Sequence, residues 1–196
     1  TPRRPGRSLA WTLAPLLAAA AVVAAVLARG IALGPDGSAA RERDARYWEL
    51  NVAAGWNDAT PTLEDVDARL ELVPEDRALR VTGRYRLRND GPAALTALPF
   101  TLGPAARPER WTLDGRPVVA EDRSGLFVLR PPAPIAAGAS VEAGFEYEVH
   151  LGRGYRRGGG EASEFVLPSA VLLDSLGRHL LPIPGFVEGV GVTPER

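Results

Sequence analysis

Apolar and polar residues alternate with a period of two from Leu63 onwards, which is the pattern of half-buried strands. In the first run, apolar residues from Val66 to Leu72 alternate with charged ones. In the second, Leu79 to Leu87 form one face and polar residues the other, and turn-forming residues 74–77 separate the two runs. The pattern therefore predicts an antiparallel hairpin.

Further short strands are predicted along the chain as far as His150. The remaining apolar or alternating runs are 95–102, 111–113, 118–119, 126–129 and 141–149. The dipeptide Asp114-Gly115 is typical of a tight hairpin turn. Six or seven short strands, with no helix of comparable strength among them, predict an antiparallel β-sandwich between Leu63 and His150.

An apolar stretch without charge lies between Arg7 and Arg29. Its roughly 20 residues match the thickness of a bilayer, and the arginines at its N-terminal side place that end in the cytoplasm. The predicted organisation is therefore a cytoplasmic basic flank (1–8), a transmembrane helix (9–29), a juxtamembrane helix and linker (30–62) and an extracytoplasmic β domain with Gly-rich C-terminal loops (63–196). The predicted fold class is mainly β, an antiparallel β-sandwich preceded by one N-terminal transmembrane α-helix in the plasma (inner) membrane.

Two other interpretations of the apolar stretch stay open. It resembles the apolar region of a secretory signal peptide, although such regions usually run about 7–15 residues. It could also be a buried helix of a soluble domain, but a chain of this length offers little core to surround it.

The segment 39–54 is predicted as a short amphipathic helix or an extended stalk. Tyr47, Trp48 and Trp56 are candidates for the membrane interface, where amphipathic aromatic rings collect. Packing of these rings against the following domain is an equally strong alternative.

Composition excludes several classes of protein. The chain has 196 residues, 45% of them hydrophobic, with 23 basic and 24 acidic side chains, which is unlike a disordered segment or a nucleic-acid-binding protein. It contains no cysteine, so disulfides, thiol nucleophiles and cysteine-ligated zinc are all excluded.

The sequence contains no motif of catalysis or metal binding. The two histidines, His150 and His179, are far apart and neither belongs to a His-Glu-x-x-His pair. Glu161, Glu164 and Asp174 follow no known spacing, and no nucleophile elbow or phosphate-binding loop occurs. We therefore predict no catalytic, cofactor-binding or metal-ligating residue in this chain.

Two basic features remain as weaker candidates. The stretch from Gly152 to Gly160 could wrap an anion or be a mobile surface loop, and it carries Arg153, Arg156 and Arg157. The second feature is a row of arginines at positions 80, 84, 86 and 88. This row could bind an acidic partner or lipid head groups, or be a solvated sheet face that pairs with Glu142, Glu146 and Glu148.

Several stretches in order carry a resemblance to a known family. They are Val66–Tyr85, Leu87–Asp90, Leu113–Gly115, the turn at 134–138 leading to Phe145-Glu146-Tyr147, and Leu181–Phe186. In this order they resemble the N-terminal β domain of aminopeptidase N-type zinc metallopeptidases, of the kind fused to ABC transporter permeases.

The resemblance implies a function for the parent protein and none for single residues of this chain. The parent would be similar to a membrane-bound zinc aminopeptidase whose His-Glu-x-x-His motif follows Arg196, and this chain would form a non-catalytic wall of the substrate cleft. The implied partners are the bilayer, further membrane helices or permease subunits, and the downstream catalytic domain, with no nucleic acid. The alternative is a free-standing, membrane-tethered β-sandwich that binds a partner.

Overall fold

The computed structural model describes residues 6–32, 38–53, 59–103, 106–150, 165–167, 170–172, 180–187 and 189–190. Helix α1 is Gly6–Ala32, helix α2 is Ser38–Tyr47, and a π-helical turn continues α2 over Trp48–Val52. The strands are β1 (Thr62–Val73), β2 (Ala78–Arg88), β3 (Leu98–Thr101), β4 (Ala106–Leu113), β5 (Arg116–Val118), β6 (Glu121–Arg123), β7 (Leu126–Leu129), β8 (Ser140–His150), β9 (Phe165–Leu167), β10 (Ala170–Leu172) and β11 (Ile183–Pro184).

The strands form two main antiparallel sheets, which confirms the predicted mainly β fold. The larger sheet has the order β1-β2-β8-β4-β5, the second has the order β11-β3-β7-β6, and β9 and β10 form a separate pair. The predicted hairpin is confirmed, because Val66 lies opposite Tyr85 and Leu72 opposite Leu79 in the β1–β2 register. In the sheet, the neighbour of β2 on the side away from β1 is β8. The hairpin is therefore extended by a strand from much later in the sequence.

The core lies between the inner faces of the two main sheets. Alternate residues of β2 and β8 are almost completely buried there, as the period of two predicts, and they pack against β3, β4 and β7. Aromatic rings fill its centre. The Tyr85 and Phe145 rings meet edge to face with their centroids 4.8 Å apart, and the ring centroids of Phe100 and Trp111 are 5.3 Å apart. Gly83 leaves space for the Phe145 ring, since a Cβ there would lie 2.7 Å from its tip.

Two turns show how local sequence sets the geometry. Asp114 and Gly115 both have positive φ, 47° and 75°, and Leu113 pairs with Arg116 across them, as expected for the predicted tight hairpin. Asn89 directly follows β2 and is 1% exposed, and its buried side-chain amide is satisfied by donating to the carbonyls of Ala93 and Ile135.

Helix α1 coincides with the predicted apolar helix at 9–29, and its side chains from 14 to 29 are exposed along their whole length. Within the described residues, no helix combines the length and the apolar character needed to span a membrane. The helical part of the prediction is therefore confirmed, whereas its membrane-spanning part is not supported.

Helix α2 and its π turn, residues 38–52, form a strap that packs on the second sheet. Tyr47 is 1% exposed and lies in a small core with Leu126, Val128 and Val190. Its hydroxyl lies 2.8 Å from the Thr101 hydroxyl of β3 and accepts a hydrogen bond from the amide of Val187. The extended stalk that we considered at 39–54 is therefore wrong, because the segment is helical and docks on the sandwich.

A second anchor fixes the strap one helical turn later. The side-chain amide of Asn51 donates to the carbonyls of Tyr47 and Arg123, and the Arg123 guanidinium donates to the Leu50 carbonyl. Of the three aromatic rings considered for the membrane interface, Tyr47 instead packs on the β domain, while Trp48 is 38% exposed. Trp56 lies outside the described residues.

Candidate functional site

The outer face of the larger sheet carries most of the charged residues of the sandwich, arranged in columns of alternating sign. The acidic column on β1 is followed by a basic one on β2, an acidic one on β8 and a basic one on β4. The β2 column is the predicted arginine row 80, 84, 86 and 88. Strand pairing puts unlike charges opposite each other, as in Arg80 with Glu148 and Arg107 with Glu148.

Among the described residues, three ion pairs of the arginine row are with β1, and Arg88 also lies 3.0 Å from Asp90. Arg84 lies 3.0 Å from Asp67, and Arg86 lies 3.4 Å from Glu64, which also contacts Arg88 at 3.6 Å. Of the possible partners on β8, Glu142 and Glu148 lie opposite Arg86 and Arg80 in the register, whereas Glu146 pairs with Arg110 on β4 at 3.1 Å. These side chains are largely exposed, so each pair stabilises the fold only slightly.

A shallow depression of about 170 Å³ lies in the middle of this face. Gly144 on β8 lacks a side chain there, and Thr82, Thr112, Arg110 and Glu146 surround the gap. The Thr112 hydroxyl occupies the position that a Cβ at Gly144 would need. The depression is polar and already bridged by the Arg110–Glu146 ion pair, so its walls offer no unpaired charge to a ligand.

The other sequence candidates do not converge on a site. His150 ends β8 with its ring 3.8 Å from the Glu148 carboxylate, and it is exposed to solvent. The described part of the chain contains no cluster of acidic and histidine side chains that could hold a metal ion. His179, Glu161, Glu164, Asp174 and the stretch Gly152–Gly160 lie outside the described residues.

Among the described residues, burial changes the ionisation of two tyrosines, Tyr85 and Tyr147. Burial raises the pKa of Tyr85 far above its ordinary value of about 10. Burial also raises the pKa of Tyr147, with a further contribution from nearby Tyr85, and the Tyr147 hydroxyl donates to the Leu180 carbonyl. Both phenols therefore stay neutral and act as structural groups inside the core.

Sequence reasoning missed two features of this molecule. Sequence reasoning did not identify Asn51 as an anchor, nor Tyr47 as the buried ring in place of Trp48. Both features depend on hydrogen-bond partners more than fifty positions away. The inner face of β1 was expected to be half-buried; Ala68 and Leu70 are, whereas Leu63, Val66 and Leu72 are 39%, 46% and 43% exposed. The alternation in β1 predicts which residues share a face of the strand. It does not predict whether another element packs on that face.

Comparison with known proteins gives partial similarities among solved structures. No family model matches the chain, and no curated protein matches it. The chain is similar to an M1 zinc metallopeptidase from Deinococcus radiodurans, at 14% identity and a TM-score of 0.41. The similarity covers 47% of this chain and 21% of the metallopeptidase, and the same values hold for a mutant of that enzyme bound to a Tyr-Ser-Ala substrate. The chain thus spans about a fifth of the metallopeptidase chains that it matches.

Proposed function

We propose that this chain is a non-catalytic N-terminal β domain of an aminopeptidase-like zinc protein, in which it forms one wall of the substrate cleft. One observation carries the proposal: the separate stretches on which the family resemblance rests assemble around a single core. Val66–Tyr85 is the β1–β2 hairpin, and Leu181–Phe186 contains β11, which pairs with β3. The amide of Gly138, in the turn at 134–138, donates at 2.7 Å to the carbonyl of Asn89, in the stretch 87–90.

In this proposal the zinc lies outside the chain. A His-Glu-x-x-His motif and a distant Glu, downstream of Arg196, would hold the metal, which lowers the pKa of a bound water and polarises the peptide carbonyl. The residues of this chain would shape and brace the cleft and take no part in proton transfer. Its rigid sandwich and docked strap suit that role.

The proposal includes a location in the plasma (inner) membrane. Leu16, Leu17 and Val22 of helix α1 are each more than 60% exposed, and the arginines at the N-terminal side of the apolar stretch favour a cytoplasmic N-terminus. The partners on this account are lipid, further membrane helices or ABC permease subunits, and the downstream catalytic domain. Alkaline carbonate extraction of membranes tests this part, since a protein released into the supernatant would contradict it.

Hydrolysis of aminoacyl-p-nitroanilides by the natural full-length polypeptide tests the activity. We expect hydrolysis that a chelator abolishes and added zinc restores. His150→Ala within this chain serves as a control and should leave kcat and KM unchanged, because a non-catalytic domain supplies no reacting group. Hydrolysis that is absent, or that a chelator does not affect, would contradict the proposal.

The second candidate is a free-standing membrane-tethered β-sandwich that binds a partner. The exposed apolar residues of β1 favour it, because exposed apolar patches mark sites of interaction with a partner. A natural polypeptide that binds no zinc would leave this candidate as the better account.

A further inference from the structure

Strand β1 is the outermost strand of the larger sheet, and in the described part of the chain its outer edge pairs with no other strand. It is 12 residues long, or about 40 Å at the usual rise per residue. Its backbone groups along that edge are therefore available to a further strand.

The inner face of β1 is also incompletely covered. Leu79 and Leu87 on the neighbouring β2 are fully buried, whereas Leu72 and Leu63, which lie opposite them in the register, are 43% and 39% exposed. Val66 is 46% exposed although its partner Tyr85 is 2% exposed. The core thus covers β2 more fully than β1: Leu70 packs against it, whereas Leu63, Val66 and Leu72 stay exposed beside the outer edge of β1.

Charge on the outer face of β1 restricts what can pair there. Glu64, Asp65, Asp67 and Glu71 are acidic and Arg69 alone is basic. Asp65 and Glu71 make no ion pair with any described residue. In a second copy of the chain, the antiparallel β1–β1 registers that align the two faces over nine or more residues of the strand would bring acidic residues opposite each other, which is destabilising.

The neighbouring strand shows which pattern does fit. Opposite the acidic residues 65, 67 and 71, β2 places arginines 86, 84 and 80, and opposite the apolar residues of β1 it places apolar ones. A strand that pairs with the other edge of β1 meets the same two faces. The complementary strand therefore alternates basic and apolar residues.

We propose that β1 binds an extended segment of a partner protein, in which basic residues alternate with apolar ones, as a sixth strand of the larger sheet. Main-chain hydrogen bonds along the edge supply affinity, and the acidic and apolar faces select the partner. This proposal goes beyond the proposed function and does not depend on it.

Fluorescence anisotropy with a labelled peptide tests the proposal on the full 196-residue chain. The probe has the sequence of residues 78–88, because that strand already carries the required alternation. The matched control peptide has every arginine replaced by glutamate. We expect saturable binding of the first peptide, weakened by added NaCl, and at least tenfold weaker binding of the second.

Variants of the protein locate the binding site. D65R combined with E71R should weaken binding at least tenfold, whereas E49R combined with E109R, with the same change in charge away from β1, should not alter it. Val66→Thr, at an exposed position that does not threaten folding, should weaken binding about threefold. Hydrogen exchange of amides 62–73 should slow when the peptide is bound.

Three outcomes would overturn the proposal. Equal binding of the two peptides would remove the charge selection, and binding without protection of amides 62–73 would place the site elsewhere. Absence of peptide binding would also overturn it, and sedimentation of the chain as a dimer in which amides 62–73 are protected would then make a second copy the occupant.

Discussion

The hydroxyl of Tyr47 lies 2.8 Å from the hydroxyl of Thr101, although the two residues are 54 positions apart in the sequence. Thr101 in turn donates to the Gly185 carbonyl at 2.8 Å, and the Val187 amide donates to the Tyr47 hydroxyl. One tyrosine thus joins the strap that precedes the sandwich, a strand of the second sheet and the segment around β11. The strap is therefore an integral part of the β domain.

Replacing Tyr47 with phenylalanine removes this junction and keeps the ring. We expect the free energy of unfolding to fall by about 1–2 kcal/mol, because the Val187 amide loses its acceptor and the Thr101 hydroxyl loses a partner. Urea unfolding of the full chain measures the change. Arg46→Ala is the matched control in the same helix, since its ion pair with Glu42 is 65% exposed and its loss should cost at most about 0.5 kcal/mol. Equal effects of the two variants would contradict the role of the junction.

Two glycines on adjacent strands should respond differently to alanine. At Gly83 a Cβ would lie 2.7 Å from the Asp67 carbonyl oxygen and from the Phe145 ring, neither of which can move cheaply. We expect Gly83→Ala to destabilise the fold by about 2–3 kcal/mol. Gly144→Ala meets only the Thr112 side chain, so adding Thr112→Ala should relieve most of its cost.

Thermal or urea unfolding of these variants decides the point. Gly189→Ala is the control, because no atom of the described residues lies within 4 Å of a Cβ at that position, and its effect should stay within about 0.5 kcal/mol. If Gly83→Ala were as mild as the control, the close packing of β1, β2 and β8 at this point would be wrong.

The alternating charge columns predict a salt-dependent effect of charge reversal. The double variant R84E/R86E puts an acidic column between the acidic residues of β1 and β8. We expect a lower Tm at low ionic strength that recovers in part as NaCl rises, because salt screens repulsion between exposed charges. R107E/R110E, on β4, places acidic residues beside the acidic column of β8 only and should lower Tm less. A Tm deficit that does not change with salt would contradict the electrostatic explanation.

The buried tyrosines predict unfolding at alkaline pH. Because burial raises the folded-state pKa of Tyr85 and Tyr147 above the unfolded value of 10.0, their contribution to stability is complete below pH 10 and is lost as pH rises beyond it. The chain has no lysine, so few other groups titrate in this range.

An alkaline titration measures this unfolding. Tyrosinate absorbance at 295 nm reports ionisation of the tyrosines, and circular dichroism reports the loss of β structure. We expect part of the tyrosine absorbance to appear only with the loss of β structure. Tyr85→Phe should shift the transition to higher pH, since it removes one phenol whose ionisation favours the unfolded state. Complete ionisation of all tyrosines near pH 10 with the fold intact would contradict the burial.

The strands were the most predictable part of the fold. Alternation over β1, β2 and β8 follows from residues within each strand, and the Asp114-Gly115 turn follows from backbone preferences of two residues. The order β1-β2-β8-β4 depends on contacts between distant segments, so local patterns could not supply it. The burial of Tyr47 and the exposure of Val66 likewise depend on which distant residues pack against them. A short stretch of sequence does not contain that information.

The metal content of the natural full-length polypeptide tests the central claim most directly. Elemental analysis after size-exclusion chromatography should find one zinc per polypeptide and none in the 196-residue chain prepared alone. That result would place the metal outside this domain, as a non-catalytic cleft wall requires. A full-length polypeptide without zinc, or zinc bound to the isolated chain, would contradict the account.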